Sequence, residues 1–508
     1  MLKRVQLVSQ IVFFILFCIL FFFYNTFRTE IGSSGLALFL RLNPFITLIT
    51  SIASRSIFVP YLVIGIVTII ITMLMGRVFC GMVCPLGSII DFTDKIFRGR
   101  EKKKQPLRPS KKLQGLKYVI MILMLILAVL GITFPLFMDP LLLVTRFFTL
   151  LIRPAVFTFA TIIPKLNGEK LMANPFVMQG AFAGAISAFI LLLIILLGAL
   201  FDRRFWCQYI CPSGAFFGVI SRFSIFTRKK NDDKCNSCGI CCDPRCPTRA
   251  ISGEKFEVTS TAECILCGEC TNDKRKCCAF SFSIPVLTST KGPSIGRRQA
   301  ISGIVSGIIM APALARKSPD KKPFVPGPIR PPGAVDERVF LSRCITCDAC
   351  VSACPQNALH PGTIGDDGFL NWNTPKLVPR IGYCLEDCNR CSQACPTGAL
   401  LPITVEEKKT LKIGTAYVDH GLCRPWRTQY KCMICARKCP YDAISEKIVV
   451  DERGKEYPSP VVNRRKCVGC GACEYYCPVK GESAIKVYAY GEKRKQIPQK
   501  KDAAGKKA

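Results

Sequence analysis

Cysteine makes up 31 of the 508 residues, and the spacing of most of these thiols suits one kind of chemistry. Twenty-six fall in six tight groups. The first group is Cys235, Cys238, the doublet Cys241 and Cys242, and Cys246; the second is Cys264, Cys267, Cys270 and the doublet Cys277 and Cys278. Four more follow: Cys344, Cys347, Cys350 and Cys354; Cys384, Cys388, Cys391 and Cys395; Cys423, Cys432, Cys435 and Cys439; and Cys467, Cys470, Cys473 and Cys477. Most approach C-x2-C-x2-C-x3-C-P, in which three thiolates hold one 4Fe-4S cubane and the fourth, before proline, holds its neighbour. Disulfides fit poorly, because thiols three and six residues apart in one loop suit a single compact centre. Zinc fits poorly as well, since its sites usually join two C-x2-C halves far apart in sequence. The spacing therefore predicts six 4Fe-4S clusters, two in the first two groups and four in the rest. In the first pair a crossed arrangement is expected, with Cys246 serving the second cluster and Cys277 or Cys278 the first. Spacing does not separate Cys241 from Cys242. Such centres move single electrons and make no bonds, and no nucleotide-binding loop or nucleophile constellation adds a second chemistry.

Four further cysteines form a second pattern. Arg77-Val-Phe-Cys80-Gly-Met-Val-Cys84-Pro85-Leu-Gly87 and Arg204-Phe-Trp-Cys207-Gln-Tyr-Ile-Cys211-Pro212-Ser-Gly214 share R-x-x-C-x3-C-P-x-G. Agreement at so many fixed positions marks an internal duplication and predicts a pseudo-two-fold bundle. The proline and glycine can stop a helix and present thiolates on a loop. Cys80, Cys84, Cys207 and Cys211 are expected to form a metal or redox site at the membrane edge beside a quinone pocket; the plainer alternative is that they only pack there. Cys18, alone in an apolar run, reads as a packing residue.

The elements that must position these thiols are helices. Apolar runs at 5–27, 57–76, 116–138 and 177–201 are each long enough to cross a hydrocarbon core of ~30 Å. The loop at 77–116 holds ten Lys and Arg, against three in 28–56 and four in 139–176. That asymmetry puts the first loop in the cytoplasm and the others outside, as in a bacterial inner membrane. Interrupted apolar stretches at 36–50 and 140–163 read as interfacial or re-entrant pieces. The formal charge of +34 fits basic loops and tails of a membrane protein, and no nucleic-acid motif accompanies it. Only two histidines exist, His360 and His420, both in the C-terminal third, so a bis-histidine haem within the membrane is excluded. Covalent c-type haem is excluded by the lack of C-x-x-C-H.

The resulting fold class is multi-domain: an all-α transmembrane bundle of four helices plus a fifth, with two α+β ferredoxin-like iron–sulfur modules. Residues 1–227 form the membrane domain and 228–293 a cytoplasmic two-cluster module. Residues 294–316 carry Arg297-Arg298 before a modest apolar stretch ending at Ala315, the form of a twin-arginine export signal. A proline-rich linker (317–335) leads to a four-cluster module (336–490), expected on the periplasmic side, and a basic disordered tail (491–508).

The membrane half resembles the NapH family of membrane ferredoxins, related to MauN and to the membrane portion of NosR, in the motifs at 80–85 and 207–212 and the cysteines from 235. From about Arg297 the chain is similar to the NapG/MauM ferredoxins, in its twin arginines, Arg330-Pro-Pro-Gly333, and the spacing Cys423-x8-Cys432-x2-Cys435-x3-Cys439-Pro440. Together these resemble a NapH–NapG fusion. The resemblance implies an electron-transfer subunit of a quinol dehydrogenase system, with quinol as substrate, feeding a periplasmic partner such as a nitrate reductase. The MauM/MauN relatives imply the alternative, an electron-donating assembly factor for a periplasmic redox enzyme.

Overall fold

The apolar runs fold as helices, and prolines mark where several shorter ones begin. The computed structural model describes residues 2–26, 30–56, 59–98, 111–156, 177–230, 246–251, 259–271, 280–283, 297–315, 327–364, 368–428, 430–450, 454 and 456–496. Cys235, Cys238, Cys241, Cys242, Cys277 and Cys278 lie outside the described residues, as do most of the linker and the end of the tail. The chain divides into two units, Met1–Leu151 with Ala185–Arg316 and Ile152–Gly184 with Lys317–Ala508.

In the first unit the helices are α1 (Leu2–Thr26), α2 (Glu30–Arg41), α3 (Pro44–Ser54), α4 (Val59–Met75), α5 (Pro85–Arg98), α6 (Leu116–Val129), α7 (Pro140–Phe147), α8 (Val177–Phe201, from Ala185 on), α9 (Phe205–Tyr209), α10 (Pro212–Ile220) and α11 (Arg297–Ala315). Strand β1 (Thr227–Lys230) pairs antiparallel with β2 (Phe280–Ser283). Among the described residues one stretch, Leu2–Phe22, is long and apolar enough to cross a membrane; the other apolar helices are shorter. The third run ends as a helix at Val129 and not near 138, because Gly131 takes a φ of 82° and turns the chain. The stretches interrupted by Arg41, Pro44 and Arg146 are the short helices α2, α3 and α7, whose Phe39, Leu40, Phe45, Leu141 and Leu142 are buried.

Large apolar side chains face outward from several of these helices. They include Val8, Ile11, Val12 and Ile15 on α1, Val63, Ile66, Val67 and Ile70 on α4, Phe189, Ile190 and Ile194 on α8, and Ile301, Ile308 and Ile309 on α11. Helix α11 packs along α6 through Gly303 and Gly307, a small-x3-small spacing that lets backbones approach. A Cβ on Gly303 would stand 3.3 Å from the Val119 carbonyl, and one on Gly307 2.8 Å from Ile126 Cδ1.

The second unit is α+β. Strand β3 (Leu359–Pro361) pairs with β4 (Pro375–Leu377), β5 (Thr415–Val418) with β8 (Ile485–Tyr488), and β6 (Ile444–Val450) with β7 (Glu456–Val462), all antiparallel. Each third cysteine of a motif sits in a one-turn helix: Cys350 in Ala349–Ala353, Cys391 in Arg390–Ala394, Cys435 in Ile434–Arg437 and Cys473 in Ala472–Tyr475. The core is small, with Val335, Phe340, Leu359, Leu400 and Ile485 packed among the thiols themselves. Close backbone approach is what Gly469 provides, since a Cβ there would lie 2.5 Å from the Gly414 carbonyl carbon. Arg330 pins the start of the unit: Nη1 donates to Thr374 Oγ1 (2.8 Å) and the Pro375 carbonyl (2.9 Å), Nη2 to Glu337 (2.6 Å), and the guanidinium lies over Phe340.

His360 on β3 is buried, and its Nε2 donates to the Asn357 carbonyl at 2.8 Å. Burial, with the Lys376 ammonium nearby, lowers its pKa from 6.5 to about 4 despite that hydrogen bond. Above pH 6.5 the ring is neutral in both folded and unfolded chains. Below it the unfolded chain takes up the proton first, so stability should fall as pH drops from 6.5 toward 4, by at most ~1.4 kcal/mol per pH unit. Thermal unfolding of the anaerobic protein at pH 7 and pH 5 checks this: a His360→Gln variant should lose less between the two than the parent does.

Candidate functional sites

The duplicated motif builds the first site. Its prolines do not leave the thiols on a loop, as the sequence suggested, but open the next helices. Pro85 and Pro212 are the first residues of α5 and α10, where the missing N–H has no helical partner to lose. Cys211 caps α10, its Sγ accepting from Gly214 N at 3.2 Å, while Cys80 lies in the π-helical turn Phe79–Val83 and Cys207 in α9. The same design recurs at Asn43-Pro44 and Asp139-Pro140, whose side chains accept from Phe45 N and Leu141 N. These helix starts meet. Asn43 Nδ2 donates to Asp139 Oδ2 at 2.8 Å and to Ser213 Oγ at 3.0 Å, and Ser213 Oγ donates to Asp139. Asp139 interacts electrostatically with Cys84 and Cys211, so positive helix ends gather beside the thiols.

The four cysteines share one neighbourhood. Cys84 interacts with Cys207 and Cys80, Cys207 with Cys80, and Cys211 with Cys207 and Cys80. Burial pushes the Cys207 thiol up, opposed by the Arg204 guanidinium.

The motif arginines are exchanged between the two copies. Arg204, from the second, donates to Asp91 from Nε (2.8 Å) and Nη2 (2.5 Å) and to the Cys80 carbonyl from Nη1 (3.0 Å). A Cβ on Gly87 of the first copy would stand 3.6 Å from its Nη2. Arg77, from the first, lies closer still to Gly214 of the second, 2.9 Å from Nη2 to a Cβ placed there. Each copy's arginine thus lies beside the other copy's glycine, and at Gly214 a side chain would collide with it. Arg77 Nη1 donates to the Ala262 carbonyl (2.8 Å) and Glu263 Oε2 (3.2 Å), while Lys117 Nζ donates to both oxygens of Glu263, at 2.6 and 2.5 Å.

Glu263 precedes Cys264, so this buried triad seats a cysteine loop directly on the duplicated motif. Gly81 meets the Ile265 carbonyl so closely that no Cβ could fit. At the matching position of the second copy, Gln208 Nε2 donates to the Pro247 carbonyl at 2.9 Å. Cys267 interacts with Cys246, Cys264 and Cys270, and burial raises its thiol well above the ordinary range. Arg204 interacts with both Cys207 and Cys267, standing between the two sets of thiols.

In the second unit the thiols assemble across motifs. Cys344, Cys347 and Cys350 interact with Cys395, and Cys354 with Cys384, Cys388 and Cys391. Cys423, Cys432 and Cys435 gather with Cys477, and Cys467, Cys470 and Cys473 with Cys439. We call these sites A, B, C and D in that order. Cys470 of site D interacts with Cys384 of site B, and the Cys384 N–H donates to the Cys470 carbonyl at 2.8 Å. Cys473 of site D interacts with Cys435 of site C. The spatial order is therefore A, B, D, C, not the order along the chain.

The residues fit iron–sulfur centres. Hollows lie at sites B, C and D, each lined by its four thiols and mostly apolar neighbours. Among the described residues no three His, Cys, Asp or Glu side chains stand close enough to hold a single metal ion. A zinc ion with bonds of ~2.3 Å would need sulfurs roughly 3.8 Å apart, whereas a cubane fills the space between them. Backbone donors face the sulfurs: Ala250 N to Cys246 (3.2 Å), Ala358 N to Cys354 (3.3 Å), Ala443 N to Cys439 (3.4 Å) and Leu400 N to Cys395 (3.4 Å). Such donors favour the thiolate and set potential. Burial raises the Cys344, Cys435 and Cys470 thiols to about 12 and Cys384 to about 11, so iron must displace protons there.

Cysteine spacing missed Asn43, Asp91, Lys117, Asp139 and Glu263. One signal was available: Lys117 begins the apolar run at 116–138, and an ionisable residue there usually has a buried partner.

A family model described as a 4Fe-4S binding domain matches residues 57–104 and again 185–231, one copy of the motif in each. Another, described as a 4Fe-4S dicluster domain, matches 343–423 and 430–480. The chain is 37% identical over 186 residues to the methylamine utilization ferredoxin-type protein MauM of Methylobacillus flagellatus, covering 36% of this chain and 76% of that protein. MauM of Paracoccus denitrificans is 40% identical over 163 residues, 31% of this chain and 70% of the relative. The ferredoxin-type protein NapG of Escherichia coli is 33% identical over 209 residues, 40% of this chain and 89% of that protein. No solved structure matches the chain.

Proposed function

Because this chain belongs to the family of ferredoxin-type iron–sulfur proteins that includes MauM and NapG, we propose that it passes electrons from the quinol pool of a bacterial inner membrane to a periplasmic reductase, nitrate reductase being one candidate. Bound at these sites, 4Fe-4S clusters supply one-electron transfer. The observation that carries the reading is the seating of Cys246, Cys264, Cys267 and Cys270 on the four thiols of the duplicated motif, within a helical unit whose outward face is apolar. Apolar patches of that extent suit lipid. On this reading α1, α4, α6, α8 and α11 cross the membrane, residues 228–293 face the cytoplasm, and residues 336–508 lie in the periplasm.

Each quinol oxidised to quinone releases two electrons and two protons. Two buried donors near the duplicated motif, Arg77 Nε and Trp206 Nε1, have no hydrogen-bond partner among the described residues and suit the carbonyl oxygens of a quinone. Cys80, Cys84, Cys207 and Cys211 would hold the redox centre nearest to that quinone, with Arg204 and Arg77 offsetting negative charge there. Crossed cysteines hold the centres: Cys246 with Cys264, Cys267 and Cys270, and sites A to D as grouped above. With Cys235, Cys238, Cys241 or Cys242, and Cys277 or Cys278, this makes six.

The test is reduction of the purified, anaerobic protein by a menaquinol analogue, followed by loss of iron–sulfur absorbance. Reduction should reach catalytic rates and fall at least tenfold in a Cys80→Ala/Cys207→Ala protein of unchanged cluster iron. Slow reduction of the parent would favour the assembly-factor role. A full rate in the double variant would remove the four cysteines from the path.

A further inference from the structure

Lys408 lies on the helix Val405–Thr410, opened by a capping box between Thr404 and Glu407. While its neighbours Glu406, Glu407 and Lys409 are exposed, Lys408 is 4% exposed. Its Nζ meets no oxygen or nitrogen acceptor among the described residues, none of the ion pairs there includes it, and the side chain it does reach is the Cys384 thiol of site B. It interacts instead with the thiols of site B, Cys384 and Cys391, where its charge favours the thiolate. Arg330 offers the contrast: it interacts with Cys344 of site A, but its charge is already paired with Glu337. Burying an ammonium without an anion is costly. A four-thiolate iron–sulfur centre would be that anion.

We propose that Lys408 sets the potential of the centre held by Cys354, Cys384, Cys388 and Cys391, raising it by favouring the reduced form. This rests on the ligand reading of site B given above. When that centre takes one electron no bond forms or breaks and its charge becomes more negative by one. A buried cation beside the sulfurs, in a low-dielectric interior, stabilises the more negative state. Lys408 is a positioning charge and not a ligand. Since site B stands between A and D, the effect is to hold the electron midway along the path.

The experiment is a redox titration of the full-length protein with dithionite, monitored by low-temperature paramagnetic resonance, in the parent, Lys408→Met and Lys408→Arg proteins. Iron content is read first, because a parent without iron at these sites sinks the ligand reading itself. With iron present, Lys408→Met should keep it and lower one midpoint only. At the parent midpoint the ratio of reduced to oxidised centre should fall about tenfold, a shift of ~59 mV for one electron. The signal affected should be the one missing from a Cys388→Ala protein, and Lys408→Arg should restore the parent midpoint. Unchanged midpoints in fully loaded Lys408→Met overturn the proposal. So does an equal shift in Lys408→Arg, which would assign the effect to packing, or loss of iron from Lys408→Met alone, which would make the lysine a requirement for assembly.

Discussion

A Cys395→Ala protein is expected to lose the centre formed with Cys344, Cys347 and Cys350 and to keep the one formed with its own motif partners Cys384, Cys388 and Cys391. The reason is geometric. Each motif places three thiols around one hollow, and the proline after the fourth turns the chain so that this sulfur faces the neighbouring hollow, where a backbone N–H meets it. Removing Cys395 leaves three thiols at site A, and about four irons should be lost per molecule. Iron analysis gives the number, and paramagnetic resonance gives the place. The remaining spectrum should match that of Cys347→Ala and differ from that of Cys388→Ala. The opposite match would mean that each motif keeps its own fourth ligand.

Glu263→Gln should have the largest effect on the first unit. Glu263 is the anion for two cations, Lys117 and Arg77, and all three side chains are nearly or fully excluded from solvent. Neutralising it leaves two buried positive charges facing each other, a loss on the order of 3–5 kcal/mol. Because Glu263 also seats the loop that begins at Cys264, the variant should lose iron as it loses stability. Lys3–Glu269 is the control: both side chains are partly exposed, so Glu269→Gln should cost no more than ~1 kcal/mol. Thermal unfolding of the detergent-solubilised proteins, with iron analysis alongside, compares the two. Equal effects would mean that water reaches the triad.

The iron–sulfur character of the chain was legible because three ligands of a centre come from one short loop, and such a loop is specified by local spacing alone. The duplication was legible for the same reason. What the arginine of that motif does was not, because its partners are far away in sequence: Arg204 reaches Asp91 across 113 residues, and Arg77 reaches Glu263 across 186. Nor did the prolines announce their role. A proline after a polar residue can end one helix or begin another, and the choice falls to burial and capping.

Three thiols per centre, their number and their chemistry were therefore written in the chain, since covalent spacing brings those sulfurs together whatever else the protein does. That the fourth thiol crosses to a neighbour was written there too, but which motifs exchange it in the second unit, the A, B, D, C order and the burial of Lys408 beside site B were decided only by tertiary packing. Those features depend on which distant loops share one buried volume. In such a volume every charge and every thiol takes its meaning from whatever else is excluded from water beside it.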